Sequence, residues 1–440
     1  MKKILLFLTM FGILLSTVEI FAETTTLKLE KIKYPKGIRN VTSVTEVFGT
    51  GQQITHIIVE FNEKVVNSQL KKDTFAVSDR TVKKIYSNNS PERTDVVKDG
   101  RYIIIELNQN DEKASLRVEG NREIGFQMKR ATSRITQKED ILFTNGKKIE
   151  KNIAILENNK TKDLVVENFK QFVFTDPKTG VNVKYNLYIP KNYNKNKKYP
   201  LVLFMHDMGV LSEDTKSTLL QGNGAISFAT PETQKKNEVF VLAPQYSKQV
   251  VDDNGNITKD LEATVNLMRD YLLLKYNIDN RRIYATGQSM GGMMAIVMNY
   301  KYPELFAASY LVACQWNEKE VAPMAKNNLW IMVSTGDAKV YPGMNAITSE
   351  LIKKGATVTR EAWKADYTDK QFLESAKKVM AQKSNIKYTT LEKGTNPYLA
   401  KNSNPDSEHA GTWKVAYNIP GIKDWMFSKI KQWTALKNFE

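Results

Sequence analysis

The chain has 440 residues, of which 41% are hydrophobic, 25% charged and 10% aromatic. That balance excludes a disordered, collagen-like or disulfide-stapled chain, and the length suits two domains. The net charge of +16 raises a nucleic-acid or other anionic partner.

Lys2 and Lys3 open the chain, residues 4–15 form an apolar run of 12 residues, and Ile20-Phe21-Ala22 offers a cleavage site. This pattern predicts a signal peptide over residues 1–22, because the run is short for a bilayer span. No later stretch is apolar enough to cross a membrane. The mature protein is therefore expected to be exported, secreted or periplasmic, without a membrane span. Export argues against nucleic acid as the partner. Cys314 is the single cysteine, so no internal disulfide can form. Three histidines, His56, His206 and His409, are too few for a His-rich site, so no metal or other cofactor is expected.

Residues 54–61, 74–77, 82–86 and 102–107 read as short strands, separated by polar turns at 88–91 and 98–100. Their spacing predicts an antiparallel β-sandwich over residues 23–160. His56 lies inside the first of these strands and is expected to be structural. Residues 151–168 are polar and read as a linker. From Phe169 the pattern changes. A hairpin is predicted over 172–189, turning at Asp176-Pro177-Lys178-Thr179-Gly180. Strands at 201–205, 239–243, 282–286, 307–312 and 329–333 then alternate with helices. One helix covers 261–276, with Leu267, Tyr271, Leu272 and Leu274 on one side, and another starts at Met290. Such alternation predicts an α/β domain over residues 161–440, with a mainly parallel sheet covered on both faces.

The strongest chemical signal is Gly287-Gln288-Ser289-Met290-Gly291-Gly292, between a strand and a helix. A G-x-S-x-G turn of this kind exposes a serine hydroxyl on a strained backbone, and flanking glycines remove clashing Cβ atoms. A serine hydroxyl needs a base. His409 is the one histidine downstream of Ser289, in a polar loop entering a helix. The acid is expected to be Asp337, just past the end of the 329–333 strand, where catalytic groups of open α/β sheets gather. Asp366, Asp369 and Asp406 are the other candidates. Oxyanion donors are expected at the backbone N–H of Met290 and, in the loop His206-Asp207-Met208-Gly209, at Met208. His206 reads as a brace for that loop. Gln315 and Trp316, after the 307–312 strand, are candidates to line the substrate pocket. Asp252-Asp253-Asn254-Gly255-Asn256 imitates the start of a calcium loop but lacks the later glycine and glutamate, so a solvated turn is expected.

With these motifs, residues 165–440 resemble secreted α/β-hydrolase esterases related to polyhydroxybutyrate depolymerases and feruloyl or acetylxylan esterases. The segments carrying the resemblance also include residues 199–207, Gln221-Gly222-Asn223-Gly224-Ala225, Leu242-Ala243-Pro244-Gln245-Tyr246 and residues 336–344. The layout is similar to bacterial esterases that carry an N-terminal immunoglobulin-like domain. The resemblance implies an α/β-hydrolase fold behind that domain, with the family's serine, acid and histidine at Ser289, Asp337 and His409. Many relatives place the acid at the position held here by Lys339. The expected activity is hydrolysis of short acyl or aryl esters through an acyl-enzyme, including acyl or feruloyl groups on polysaccharide. Expected partners are an ester substrate, small or polymer-linked, and a further copy of the chain through the β-domain. Two other readings are a serine peptidase of the same fold and a non-catalytic binding or adhesion protein.

Overall fold

The computed structural model describes residues 34–118, 126–399 and 404–431. The expected signal peptide, residues 1–22, lies outside the described residues.

The N-terminal domain is a sandwich. Its larger sheet has five strands, in the order Lys160–Asp163, Ile38–Phe48, Gly51–Val65, Gly100–Leu107, Val82–Asn88. A three-stranded sheet of Phe75–Val77, Arg134–Gln137 and Asn152–Glu157 covers one face. Alternation explains the assembly. Ile57, Val59 and Phe61 point into the core with Ile103, Ile105 and Ile135. On the opposite face Ile58 packs with Val44, Tyr86 and Ile104. Both faces of the strand are buried at its centre, which is why Ile57, Ile58 and Val59 follow one another there. His56 is buried in it, with Nδ1 3.0 Å from Thr55 Oγ1. Burial, with Arg93 and Lys162 nearby, pushes its pKa down to about 3 and keeps the ring neutral.

The expected linker over 151–168 is not one. Asn152–Glu157 joins the smaller sheet, and Lys160–Asp163 runs parallel to Ile38–Phe48 in the larger one. Lys160–Asp163 is a polar edge strand facing water, so its composition imitates a linker, whereas Asn152–Glu157 leaves Ile153 and Ile155 exposed and buries Leu156. The sandwich sheet thus extends through Asp163, three residues past the expected boundary.

The second domain holds a nine-stranded sheet, ordered Phe169–Thr175, Asn182–Tyr188, Phe240–Gln245, Tyr199–Met205, Ile278–Gln288, Ala308–Val312, Leu329–Ser334, Ile386–Leu391, Val358–Trp363. The first two strands form the expected hairpin, and Asn182–Tyr188 is antiparallel to Phe240–Gln245. The remaining pairings are parallel. Leu201, Leu203 and Met205 face one core with helices Met290–Lys301 and Val340–Lys353. Val202 and Phe204 face the other, with helices Asp369–Ala381, Pro405–Ala416 and Ile422–Phe427. Sheet strands buried on both faces are bound to read as continuous apolar runs.

The predicted helix over 261–276 forms with an irregularity. A π-turn, Leu267–Leu272, separates Lys259–Asn266 from Leu273–Lys275. The wider turn shifts the helical phase of the residues after it. Leu274, expected on the buried side, is therefore 83% exposed.

The two domains meet beside the last helices. Val47 and Met128 pack against the second core, which includes Phe126. At the turn between the first two strands, a Cβ on Gly49 would sit 2.1 Å from the carbonyl oxygen of Lys414. No helix among the described residues is long and apolar enough to cross a membrane.

Trp330 sits at the centre of the second core, fully buried, with Trp425 and Trp363 at ring distances of 5.4 and 6.2 Å. Trp330→Ala is expected to cost about 3–5 kcal/mol, because the surrounding rings cannot collapse into the space left. Urea unfolding measures it; a loss below about 1 kcal/mol would show the site relaxes freely.

Candidate active site

Three sheet strands deliver the site to one edge, the carboxyl end of the parallel strands, where open α/β sheets bind ligands. Ile278–Gln288 ends at Ser289, which turns the chain into helix Met290–Lys301. Ser289 has φ 50° and ψ −120°, a conformation that costs a non-glycine residue roughly 1–3 kcal/mol. The turn is possible because the helix lies almost against the neighbouring strand. A Cβ on Gly291 would come within 2.0 Å of the Met205 carbonyl oxygen. Glycine is the residue that permits this approach.

His409 lies on helix Pro405–Ala416, not in the loop expected from the sequence. The signal was present. Asn404 caps the helix by accepting from Ser407 N–H at 2.8 Å, Pro405 occupies the first turn, and Asp406 and Glu408 add acidic charge there. Those polar residues imitate a loop. Glu408, which no sequence pattern marks, also belongs to this arrangement. It is buried, and its Oε2 accepts from Ser334 Oγ at 2.7 Å while its Oε1 accepts from Gly394 N–H at 3.0 Å. Ser334 ends the strand that leads to Asp337, and its Oγ also accepts from Gly336 N–H at 3.1 Å. Glu408 therefore ties the helix carrying His409 to the turn carrying Asp337.

The three predicted side chains form one hydrogen-bonded chain. His409 Nδ1 is 2.5 Å from Asp337 Oδ2, and His409 Nε2 is 3.0 Å from Ser289 Oγ. A carboxylate can only accept, so Nδ1 carries the proton and Nε2 accepts from the serine hydroxyl. Trp413 meets the imidazole edge-on at 5.2 Å. Burial alone would raise the Asp337 carboxyl. The hydrogen bond from His409 and the N–H groups of Val340 and Lys339 outweigh it and hold the group below its usual range. The other acid candidates, Asp366, Asp369 and Asp406, are exposed.

Met290 is the first residue of its helix, so its N–H lacks an intrahelical acceptor, and the helix dipole favours negative charge there. Met208 opens a short 3₁₀ turn, Met208–Val210, capped by Asp207. The strand ends preceding these two residues are paired, Met205 against Gly287. His206 is fully buried and braces the loop. Its Nδ1 donates to the Asp207 carbonyl at 2.7 Å, and its Nε2 accepts from Tyr246 N–H at 3.0 Å. Burial lowers its pKa, consistent with a neutral ring.

The two pocket candidates separate. Trp316 sits in the core, 4% exposed, with Nε1 donating to Glu320 at 2.7 Å. A large ring whose one polar atom is satisfied is more stable buried than lining a wet pocket. Gln315 stays half-buried and donates to Asp253 Oδ1 at 2.9 Å. Asp253 also pairs with Lys339. The calcium-like segment is a turn in which Asp252 Oδ1 accepts from the N–H groups of Asn254 and Asn256.

Fold and site together define an α/β-hydrolase with a serine, a histidine and an aspartate in line. Residues 40–150 match the family model described as "Esterase Ig-like N-terminal domain", and residues 177–403 match the one described as "Putative esterase". The chain belongs to this esterase family. A crystal structure titled as a thermostable esterase superposes with a TM-score of 0.76 and 26% identity, covering 89% of this chain and 100% of that one. A stretch of 41 residues is 51% identical to feruloyl esterase B of Neurospora crassa. That stretch is 9% of this chain and 14% of that protein's length.

Asp337→Asn is expected to lower kcat about 10⁴-fold by removing the acceptor that selects the imidazole tautomer. The pH dependence follows from the depressed carboxyl. Its stabilising contribution is present above an ordinary carboxyl pKa of about 3.9 and is lost as pH falls through the lower folded value. Urea midpoints of wild type and Asp337→Asn should therefore converge below pH ~4; a constant gap would contradict this.

Proposed function

We propose that the protein is a serine carboxylic-ester hydrolase working through an acyl-enzyme. The observation that carries this reading is the unbroken chain from Ser289 Oγ through His409 to Asp337, built on a strained turn at the sheet edge.

Ser289 Oγ attacks the ester carbonyl carbon while His409 Nε2 takes its proton. The carbonyl oxygen becomes an oxyanion, stabilised by the N–H groups of Met290 and Met208. Asp337 stabilises the imidazolium without taking its proton. The intermediate expels the alkoxide, which leaves as alcohol with the proton from His409. Water then attacks the acyl-enzyme with His409 again as base. Acid is released and Ser289 is regenerated.

Short acyl and aryl esters are the proposed substrates, with feruloyl or other acyl groups on polysaccharide included. The stretch shared with a feruloyl esterase supports the aryl option. Action on such polymers also suits export through the segment 1–22. Gln315 is the remaining candidate for contact with substrate.

A fluorophosphonate probe should label the wild type at Ser289 and fail to label Ser289→Ala. In the same variant kcat on nitrophenyl esters should fall by about 10⁴–10⁶-fold. A wild type that neither labels nor turns over any ester would refute the reading. A series of nitrophenyl esters of rising chain length, with methyl ferulate, ranks the acyl groups. Amide turnover above ester turnover would instead identify a peptidase.

A further inference from the structure

Beyond the pairing of Met205 with Gly287, the chain leaves the sheet and its path is governed by side chains. Asp207 stands in the loop that carries one oxyanion donor, and it is 8% exposed. Its Oδ1 accepts from Gly209 N–H at 2.8 Å and so caps the 3₁₀ turn that Met208 opens. Its Oδ2 accepts from Gln288 Nε2 at 3.0 Å. Gln288 is buried, and it is the residue immediately before Ser289. The same Nε2 also donates to Gln221 Oε1 at 3.0 Å. One amide thus joins the serine turn to the neighbouring loop.

We propose that Gln288 is a positioning residue for the oxyanion hole. Its amide clamps Asp207, and Asp207 in turn holds the turn presenting the Met208 N–H beside that of Met290. The inference rests on reading Ser289 as the nucleophile. A carboxylate in this loop would oppose the negative charge that develops on the substrate oxygen. Holding each carboxylate oxygen on a donor confines that charge to one place. The two donors also make the loop's position depend on the residue next to the nucleophile. Both oxyanion donors then share one frame, which matters because small displacements of catalytic donors are costly.

The network has a polarity that can be inverted. Gln221 Nε2 and Gln288 Oε1 are both buried without a hydrogen-bond partner among the described residues. Rotating the Gln221 amide would therefore turn a donor toward position 288. Gln288→Glu sets a carboxylate against Asp207 and should push the loop away. Adding Asp207→Asn restores one donor and one acceptor in reverse order, leaves an oxygen for Gly209 N–H, and lets Gln221 donate.

The test measures kcat, KM and melting temperature on a nitrophenyl ester. In Gln288→Glu, kcat should fall about 10- to 100-fold with KM within about threefold, since the lost contact acts on the transition state. The double variant should recover to within about fivefold of wild type, a coupling that a purely structural role would not return to kcat alone. Asp207→Ala, which removes cap and acceptor together, should reproduce the kcat loss and covers the case in which Gln288→Glu does not fold. An unchanged kcat in folded Gln288→Glu or in Asp207→Ala would overturn the inference. So would a double variant that melts like wild type yet stays slow. In either case an active, labelled wild type leaves the esterase reading intact. An inactive, unlabelled wild type would sink both.

Discussion

The close approach of helix Met290–Lys301 to the carbonyl of Met205 is the constraint on which the site depends. It requires glycine at position 291, where any side chain would collide with backbone. It places the start of a helix directly after the strand Ile278–Gln288, so the chain must turn within one residue. Ser289 takes the resulting positive φ, and the well-packed strands on either side hold it there. A serine hydroxyl held at the sheet end, an N–H at Met290 with no intrahelical acceptor and the positive end of a helix dipole all result from the same contact.

Around that turn the site is assembled from segments far apart in the sequence. Asp337 leaves the end of a parallel strand, and His409 comes from a helix on the opposite layer. Their bond of 2.5 Å is supported by Glu408, which links the helix to the strand end through Ser334. Helix and strand end each have their own packing, so a buried hydrogen bond between them fixes their relative position where apolar contact alone would allow sliding. The N-terminal domain rests against the same region, with Gly49 near the carbonyl of Lys414 at the far end of the His409 helix.

Much of this was legible in the sequence. The runs at 201–205 and 329–333 read as buried strands because both faces of the sheet are covered. The glycines around Ser289 announced the turn because so few residues can occupy it. The reading failed where composition and environment diverge. Residues 160–163 are polar because they form an exposed sheet edge, and their polarity imitates a linker. The helix carrying His409 begins with a run of capping residues, and its polarity imitates a loop. Trp316 comes after a strand on the active-site edge, but a satisfied indole N–H let it turn into the core. Leu274 was misplaced by a π-turn that periodicity cannot anticipate.

Local chemistry thus determined which residues could be nucleophile, base and acid, because a serine between glycines, a single downstream histidine and an aspartate at a strand end are restrictions on residue type. Only the tertiary structure decided that Asp337 and not another carboxylate reaches His409, that Glu408 joins their two elements, and that Gln288 reaches Asp207. Those are distances across a sheet, between residues 72, 74 and 81 positions apart, and they depend on how layers pack rather than on any local pattern.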